Sequence, residues 1–193
     1  VSARIDLLRH GETERGGGLR GSLDDALTAR GWQQMRQALV GAGPWDVLVS
    51  SPLQRCAAFA TELAESTGLP LIIEPDLREL HFGLWEGRTA AELMQTHAEA
   101  LGLFWADPYG HTPPFGEPLV AFEARTLAAM QRLVARFRQG RVLVIGHGGV
   151  MRLLLARQRG LPRERLLEVE VGHASLHGFD PACLAEAPPC SPC

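Results

Sequence analysis

The sequence predicts a single three-layer α/β/α domain built on a mostly parallel sheet. Three observations predict it. Residues 5–9, 46–50, 71–73 and 141–146 are short runs dominated by apolar residues, the pattern of strands buried on both faces. Stretches with helical spacing of apolar residues lie between them, and such alternation argues helices on both faces of a parallel sheet. The 193 residues contain no internal repeat and no long linker, and that length supports one good core and not two.

The elements follow in order. The opening strand, Ile5-Asp6-Leu7-Leu8-Arg9, runs out into His10-Gly11. Residues 14–25 are rich in glycine and charge and read as a loop placed to line a site. Thr28 is the expected N-cap of a helix to about Leu39, stopped by Gly41 and Gly43-Pro44. A second strand ends at Ser50; Ser51 as cap and Pro52 at the first helical position then start a helix carrying Arg55 and ending near Thr67. The third strand leads into an acid- and aromatic-rich loop, 75–87, and a helix at 89–97. Residues 103–118 read as an irregular, proline-stiffened insertion covering a pocket. A long amphipathic helix, 119–139, precedes the clearest buried strand, 141–146, whose exit is His147-Gly148-Gly149. A helix at 150–157 and strands at 166–171 and 175–179 complete the domain, expected to span 1–180, with 181–193 a Pro/Cys-rich, frayed tail.

Composition narrows the function classes. A net charge of −3 gives no general attraction to nucleic acid or anionic membrane. No apolar run approaches the roughly 18 residues of a membrane span. The chain goes straight into its first strand, so no secretory signal and a cytoplasmic location are expected, although the missing Met leaves upstream trimming open. All 19 basic residues are Arg, so arginine content alone says little about phosphate; particular positions must carry that case. Cys56 falls on a helical pattern and reads as a small buried hydrophobe. Cys190-x-x-Cys193 resembles half a metal or redox motif, but no second pair completes it.

Ligands of open α/β sheets bind at the carboxyl ends of the strands. The first strand brings Arg9 and His10 there, the second Arg55, the third Glu79, and the strongest one His147. Two arginines, two imidazoles and helix N-termini suit a phosphate. A carboxyl group beside it suits a general acid for the leaving oxygen, with Glu86 the competing candidate. A central imidazole suits a nucleophile. With no metal-ligand cluster evident, transition-state charge would fall to the arginines, His147 and backbone dipoles. His81, His97, His111, His173 and His177 lack such a context; Trp85, Trp105, Tyr109 and Phe115 read first as packing, with stacking on an aglycone the alternative.

Leu8-Arg9-His10-Gly11-Glu12-Thr13 resembles the signature of the histidine phosphatase superfamily. Ser50-Ser51-Pro52-Leu53-Gln54-Arg55, Leu77 through Gly87, and Gly146-His147-Gly148-Gly149 resemble its further motifs, in the same order. The resemblance implies a phosphoglycerate mutase-like fold with an antiparallel edge strand. It implies no cofactor and no metal, His10 as nucleophile, Arg9, Arg55 and His147 on the phosphoryl oxygens, and Glu79 as acid and base. Arg20 and Gly21, in the loop after Thr13, are the further expected substrate contacts. That loop, Arg15-Gly16-Gly17-Gly18-Leu19-Arg20-Gly21, departs from the mutase pattern. Within the superfamily, residues 82–87 and 104–117 resemble alpha-ribazole phosphatases. The implied activity is hydrolysis of alpha-ribazole 5′-phosphate or a cobalamin phosphate precursor. A sugar-phosphate phosphatase or mutase is the alternative, and an inert phosphate-binding module the rival from another class. The expected partner is a small phosphate monoester, with neither nucleic acid nor membrane. A homodimer is compatible with this reading.

Overall fold

The structure, a computed structural model, describes residues 3–185. Its sheet has the order β3-β2-β4-β1-β5, with β1 Arg4–Arg9, β2 Val47–Ser50, β3 Leu71–Ile73, β4 Arg141–Gly146 and β5 Leu176–Phe179. β1 to β4 are parallel, and β5 lies antiparallel against β1 at the edge. This is the mixed sheet expected. The order places β1 and β4, the two strands that run out into histidines, side by side at the centre.

Alternation along each strand sends successive side chains to opposite faces. Leu8, Leu48, Leu143 and Ile145 pack with Met35, Cys56, Phe59 and Ala60, from helices α1 (Ala29–Ala38) and α2 (Gln54–Thr67). Ile5, Leu7, Val47, Val49, Val142 and Val144 pack with Phe122, Met130 and Leu133 of α5 and Val150, Met151 and Leu154 of α6. Those helices span Leu119–Arg136 and Gly148–Gln158. In sequence α3 (Ala90–Thr96) and α4 (Ala98–Ala106) come between α2 and α5, and their Leu93, Leu101 and Phe104 join the second set. Among the described residues no helix is long and apolar enough to cross a membrane.

Three local expectations need correction. Residues 98–106 form α4, so the irregular segment begins later than 103; Leu101 and Phe104, one helical turn apart, are buried, and Phe104 meets Trp85 edge-on at 5.6 Å. Residues 166–171 are not a strand: Arg163–Glu168 is a 3-10 turn. The carbonyls a ladder would use are taken by guanidinium groups, Val169 by Arg152 Nε (2.9 Å) and Val171 by Arg9 Nη1 (2.5 Å). Ser51 does not cap α2, which begins at Gln54 with Leu53 in the cap position. The Ser51 hydroxyl is used in the site instead. Beyond β5, Pro181–Leu184 forms a further 3-10 turn with Leu184 buried in the core; Cys190 and Cys193 lie outside the described residues.

The exit of β1 is held against the start of α1. Thr28 caps α1 as expected, accepting from Gly31 N (2.9 Å), while its own amide donates to Glu12 O (3.0 Å). A Cβ on Gly31 would lie 2.1 Å from Glu12 O, and one on Gly11 2.3 Å from Gly31 O. Only glycines let the two backbones cross this closely. Helix propensity alone makes Gly31→Ala stabilising by about 1 kcal/mol. Here the clash with a backbone carbonyl reverses the sign, with a loss of about 1–3 kcal/mol expected. Urea unfolding measures it; a raised midpoint would show that the crossing is slack.

Candidate active site

Parallel register aligns the ends of the central strands. Arg9 is paired with Gly146, His10 N donates to Gly146 O (3.0 Å), and Ser51 N donates to Ile145 O (3.1 Å). His10, Ser51 and His147 therefore emerge together. The rings of His10 and His147 meet edge to face with centroids 5.4 Å apart.

His10 is 5% exposed, and its Nδ1 lies 2.8 Å from the carbonyl oxygen of Gly11. A carbonyl only accepts, so Nδ1 carries the proton and Nε2 keeps its lone pair. Burial, more than any other cause, pushes the His10 pKa down to about 3; the charges of Arg55 and Arg9 add to this, and the Gly11 bond opposes it. The ring is thus neutral at pH 7 with one unprotonated nitrogen.

His147 is fully buried, and its pKa also falls well below the ordinary value, first through burial and then through Arg55. Arg55 Nε donates to its Nδ1 (3.3 Å), so the neutral ring carries its proton on Nε2 and donates to Ser51 Oγ (2.6 Å). Arg55 itself is fully buried, donating from Nη1 to Leu23 O (2.5 Å) and from Nη2 to Gly21 O (2.8 Å), with Asp25 3.6 Å away. Arg9 is held by Val171 O and lies against the start of α6, where a Cβ on Gly148 would come within 3.2 Å of its Nε. Its pKa is lowered chiefly by burial, with Glu79 opposing. Glu79 accepts from Gly149 N (2.8 Å), at the same helix start, and from Leu80 N (2.9 Å). A Cβ on Gly149 would lie 2.2 Å from Glu79 Oε1, so a larger residue there would displace the Glu79 carboxylate.

Arg9, His10, Arg55, Glu79 and His147 thus converge at one sheet edge. Arg20 and Gly21 have protein partners. Arg20 Nε pairs with Asp25 (3.1 Å) and its Nη2 bonds the Gly16 and Gly17 carbonyls; the Gly21 amide donates to Glu86 and its carbonyl accepts from Arg55. Residues that the sequence reading passed over also arrive here. His173 lies over His10, ring centroids 5.8 Å apart, on a loop whose Ala174 amide donates to His10 O (3.2 Å). Arg125, from mid-α5, holds the Glu79 carbonyl (3.1 Å). Neither lies in a recognisable motif. Cys56, beside His147, is fully buried, which pushes its thiol pKa up and keeps it a packing group. Among the described residues no cluster of His, Cys, Asp and Glu could hold a metal.

Beside Glu79 and Gly149 opens a cavity of about 140 Å³, walled by Leu19, Phe82, Phe104, Trp105, Phe122 and Leu166, with Arg152 the cation in its lining. Apart from Glu79 and Arg152, the side chains that line it are apolar.

The model of the histidine phosphatase superfamily (branch 1) matches residues 5–182. The chain belongs to that superfamily. The adenosylcobalamin/alpha-ribazole phosphatase of Escherichia coli K12 is 34% identical over 182 residues, covering 92% of this chain and 89% of the relative. The glucosyl-3-phosphoglycerate phosphatase of Mycolicibacterium vanbaalenii is 34% identical over 171 residues, covering 82% and 75%. The crystal structure of the alpha-ribazole phosphatase from Shigella flexneri superposes with a TM-score of 0.80 at 32% identity, covering 92% of this chain and 90% of that one. The fold is therefore that of the phosphoglycerate mutase-like phosphatases, and the chain is an enzyme of the phosphatase type.

The imidazoles make stability depend on pH. Between pH 6.5 and about 3 the unfolded chain protonates at His10 while the native state does not. His147 acts in the same direction. Native stability therefore falls as pH drops through this window, and His10→Asn makes the fall shallower. Urea midpoints at pH 7, 6, 5 and 4 for both proteins test this; parallel curves would refute it.

Proposed function

We propose that the protein is a metal-independent phosphomonoesterase that works through a phosphohistidine on His10. One observation carries the reading: His10 is held neutral with Nε2 unprotonated, among arginines, with Glu79 at the start of α6 near Arg9. The Nε2 lone pair attacks phosphorus in line, and the P–O bond to the leaving group breaks. Glu79, entering as the carboxylic acid, gives its proton to the departing alkoxide. Arg9 and Arg55 hold the equatorial oxygens, and one oxygen takes the place of Ser51 as acceptor of the His147 Nε2–H. Glu79, now a carboxylate, takes a proton from water; the water oxygen attacks phosphorus, the P–N bond breaks, and phosphate leaves with His10 neutral again. Arg20 and the Gly21 segment shape the phosphate end of the site through Asp25 and Arg55.

The apolar cavity beside Glu79 supports a flat, largely uncharged aglycone, and alpha-ribazole 5′-phosphate, whose base is aromatic, fits that description. Relatives named for alpha-ribazole phosphate support the same choice. Arg152 in the lining favours a second reading, a phosphate ester with a carboxylated aglycone such as glucosyl-3-phosphoglycerate.

His10→Ala should lower kcat by on the order of a thousandfold or more. It should also abolish an acid-labile, alkali-stable phosphoryl label seen on the unaltered protein after rapid quench; a label that survives the substitution would exclude His10. In a substrate panel, kcat/KM should be at least about tenfold higher for alpha-ribazole 5′-phosphate than for glucosyl-3-phosphoglycerate or phosphoserine, since losing well-packed apolar contacts costs about 1–3 kcal/mol. Trp105→Ala should narrow that gap through KM. The reverse order of substrates would favour the second reading, and phosphoryl transfer to a second hydroxyl in place of water would favour a mutase.

A further inference from the structure

We infer that Glu86 is a positioning residue for Arg55, acting through the backbone of residues 21–23. The inference rests on the reading of Arg55 as a phosphoryl clamp. Glu86 follows the 3-10 turn Gly83–Trp85, and its side-chain hydrogen bonds among the described residues are to residues 21–23 and Phe82. Its carboxylate accepts from four backbone amides in two separate segments. Gly21 N (3.0 Å) and Leu23 N (3.3 Å) donate to Oε2, and Ser22 N (2.9 Å) and Phe82 N (2.9 Å) to Oε1, with the Ser22 hydroxyl also 3.3 Å from Oε1. A carboxylate ringed by amides is a strong fixed acceptor, because charge-assisted bonds are roughly twice as strong as neutral ones.

The same short segment presents its carbonyls on the Arg55 side. Gly21 O and Leu23 O accept the two terminal nitrogens of Arg55, leaving its Nε for His147. The amides of residues 21–23 are thus tied to Glu86 while the carbonyls of 21 and 23 are tied to Arg55. With the amides fixed, the carbonyl positions are fixed, and with them the plane of the guanidinium. Gly21 makes the approach possible, because a Cβ there would lie 2.0 Å from Leu80 O and 2.3 Å from Glu86 Oε1. The neighbouring backbone adds Leu19 N to Arg88 O (2.9 Å) and Gly87 N to Leu19 O (2.7 Å).

This explains why a carboxylate stands near a phosphate site without repelling its ligand. Its charge is spent on amide donors and reaches the site as two oriented carbonyls. It also sets Glu86 apart from Glu79: four backbone amides and a hydroxyl hold the Glu86 carboxylate, whereas Glu79 accepts from two amides, one of them at the start of α6.

A double-mutant cycle on hydrolysis of para-nitrophenyl phosphate tests the inference, with the full chain and at a temperature where unfolding curves show each variant folded. This substrate leaves the aglycone reading aside. Glu86→Gln keeps the shape but turns an acceptor into a donor facing amides. It should lower kcat/KM by on the order of 10- to 100-fold, as expected for a clamp misplaced by about an ångström. In an Arg55→Met background the same substitution should change kcat/KM less than twofold, because the group through which Glu86 acts is gone. If Glu86→Gln does not fold, Glu86→Asp, which keeps the charge but loses reach, takes its place in the cycle. An equal loss in both backgrounds would overturn the role of Glu86 while leaving the clamp intact. No loss on Arg55→Met alone would overturn the clamp reading, and this inference with it.

Discussion

A fully buried guanidinium at the start of α2 is the constraint on which the site depends. Removing a charge from water costs several kcal/mol even after relaxation, so every donor of Arg55 must find a partner. The partners come from three parts of the chain: carbonyls of Gly21 and Leu23, the Asp25 carboxylate, and Nδ1 of His147. Satisfying Arg55 therefore orders the glycine-rich loop and sets the tautomer of His147. That tautomer in turn occupies the Ser51 hydroxyl. One solvation requirement links residues that have no other reason to meet.

The electrostatics of the edge follow from burial and shared sign. Arg9, Arg55 and the N-terminus of α6 all favour negative charge, and a second cation among them would be repelled. Both imidazoles respond by remaining neutral, with burial the largest cause in each. A neutral ring whose Nδ1–H is given to a carbonyl is a nucleophile without further activation. On the proposed mechanism, the same fields that would hold a phosphate keep His10 in the form that would attack it.

Much of this was legible because it is local. The continuous apolar run before Gly146 could be a strand only if covered on both faces, and Arg9-His10-Gly11 and His147-Gly148-Gly149 mark where such strands end. The Thr28 cap was readable for the same reason, needing only its own first turn. Ser51 misled because Ser-Pro is a helix start by local chemistry, whereas its hydroxyl faces a histidine 96 residues away in sequence. Residues 166–171 misled because valines and leucines at that spacing suit a strand. Arg9 and Arg152 then took the backbone carbonyls a strand would need. His173 and Arg125 carried no readable pattern, since His173 meets His10 and Arg125 holds the carbonyls of Asp76, Arg78 and Glu79 across long sequence separations.

The sequence by itself determined the four parallel strands, the sheet edge and the residue types that a phosphate ester requires, because strand burial, glycine turns and donor chemistry are written within a few positions of each residue. Only the tertiary structure decided which nitrogen of each imidazole is free, which carbonyls hold Arg55, and that Glu86 braces a loop while Glu79 faces the site. Those outcomes depend on the parallel register of β1 with β4 and on the burial of charge, both set by chain segments far apart in sequence.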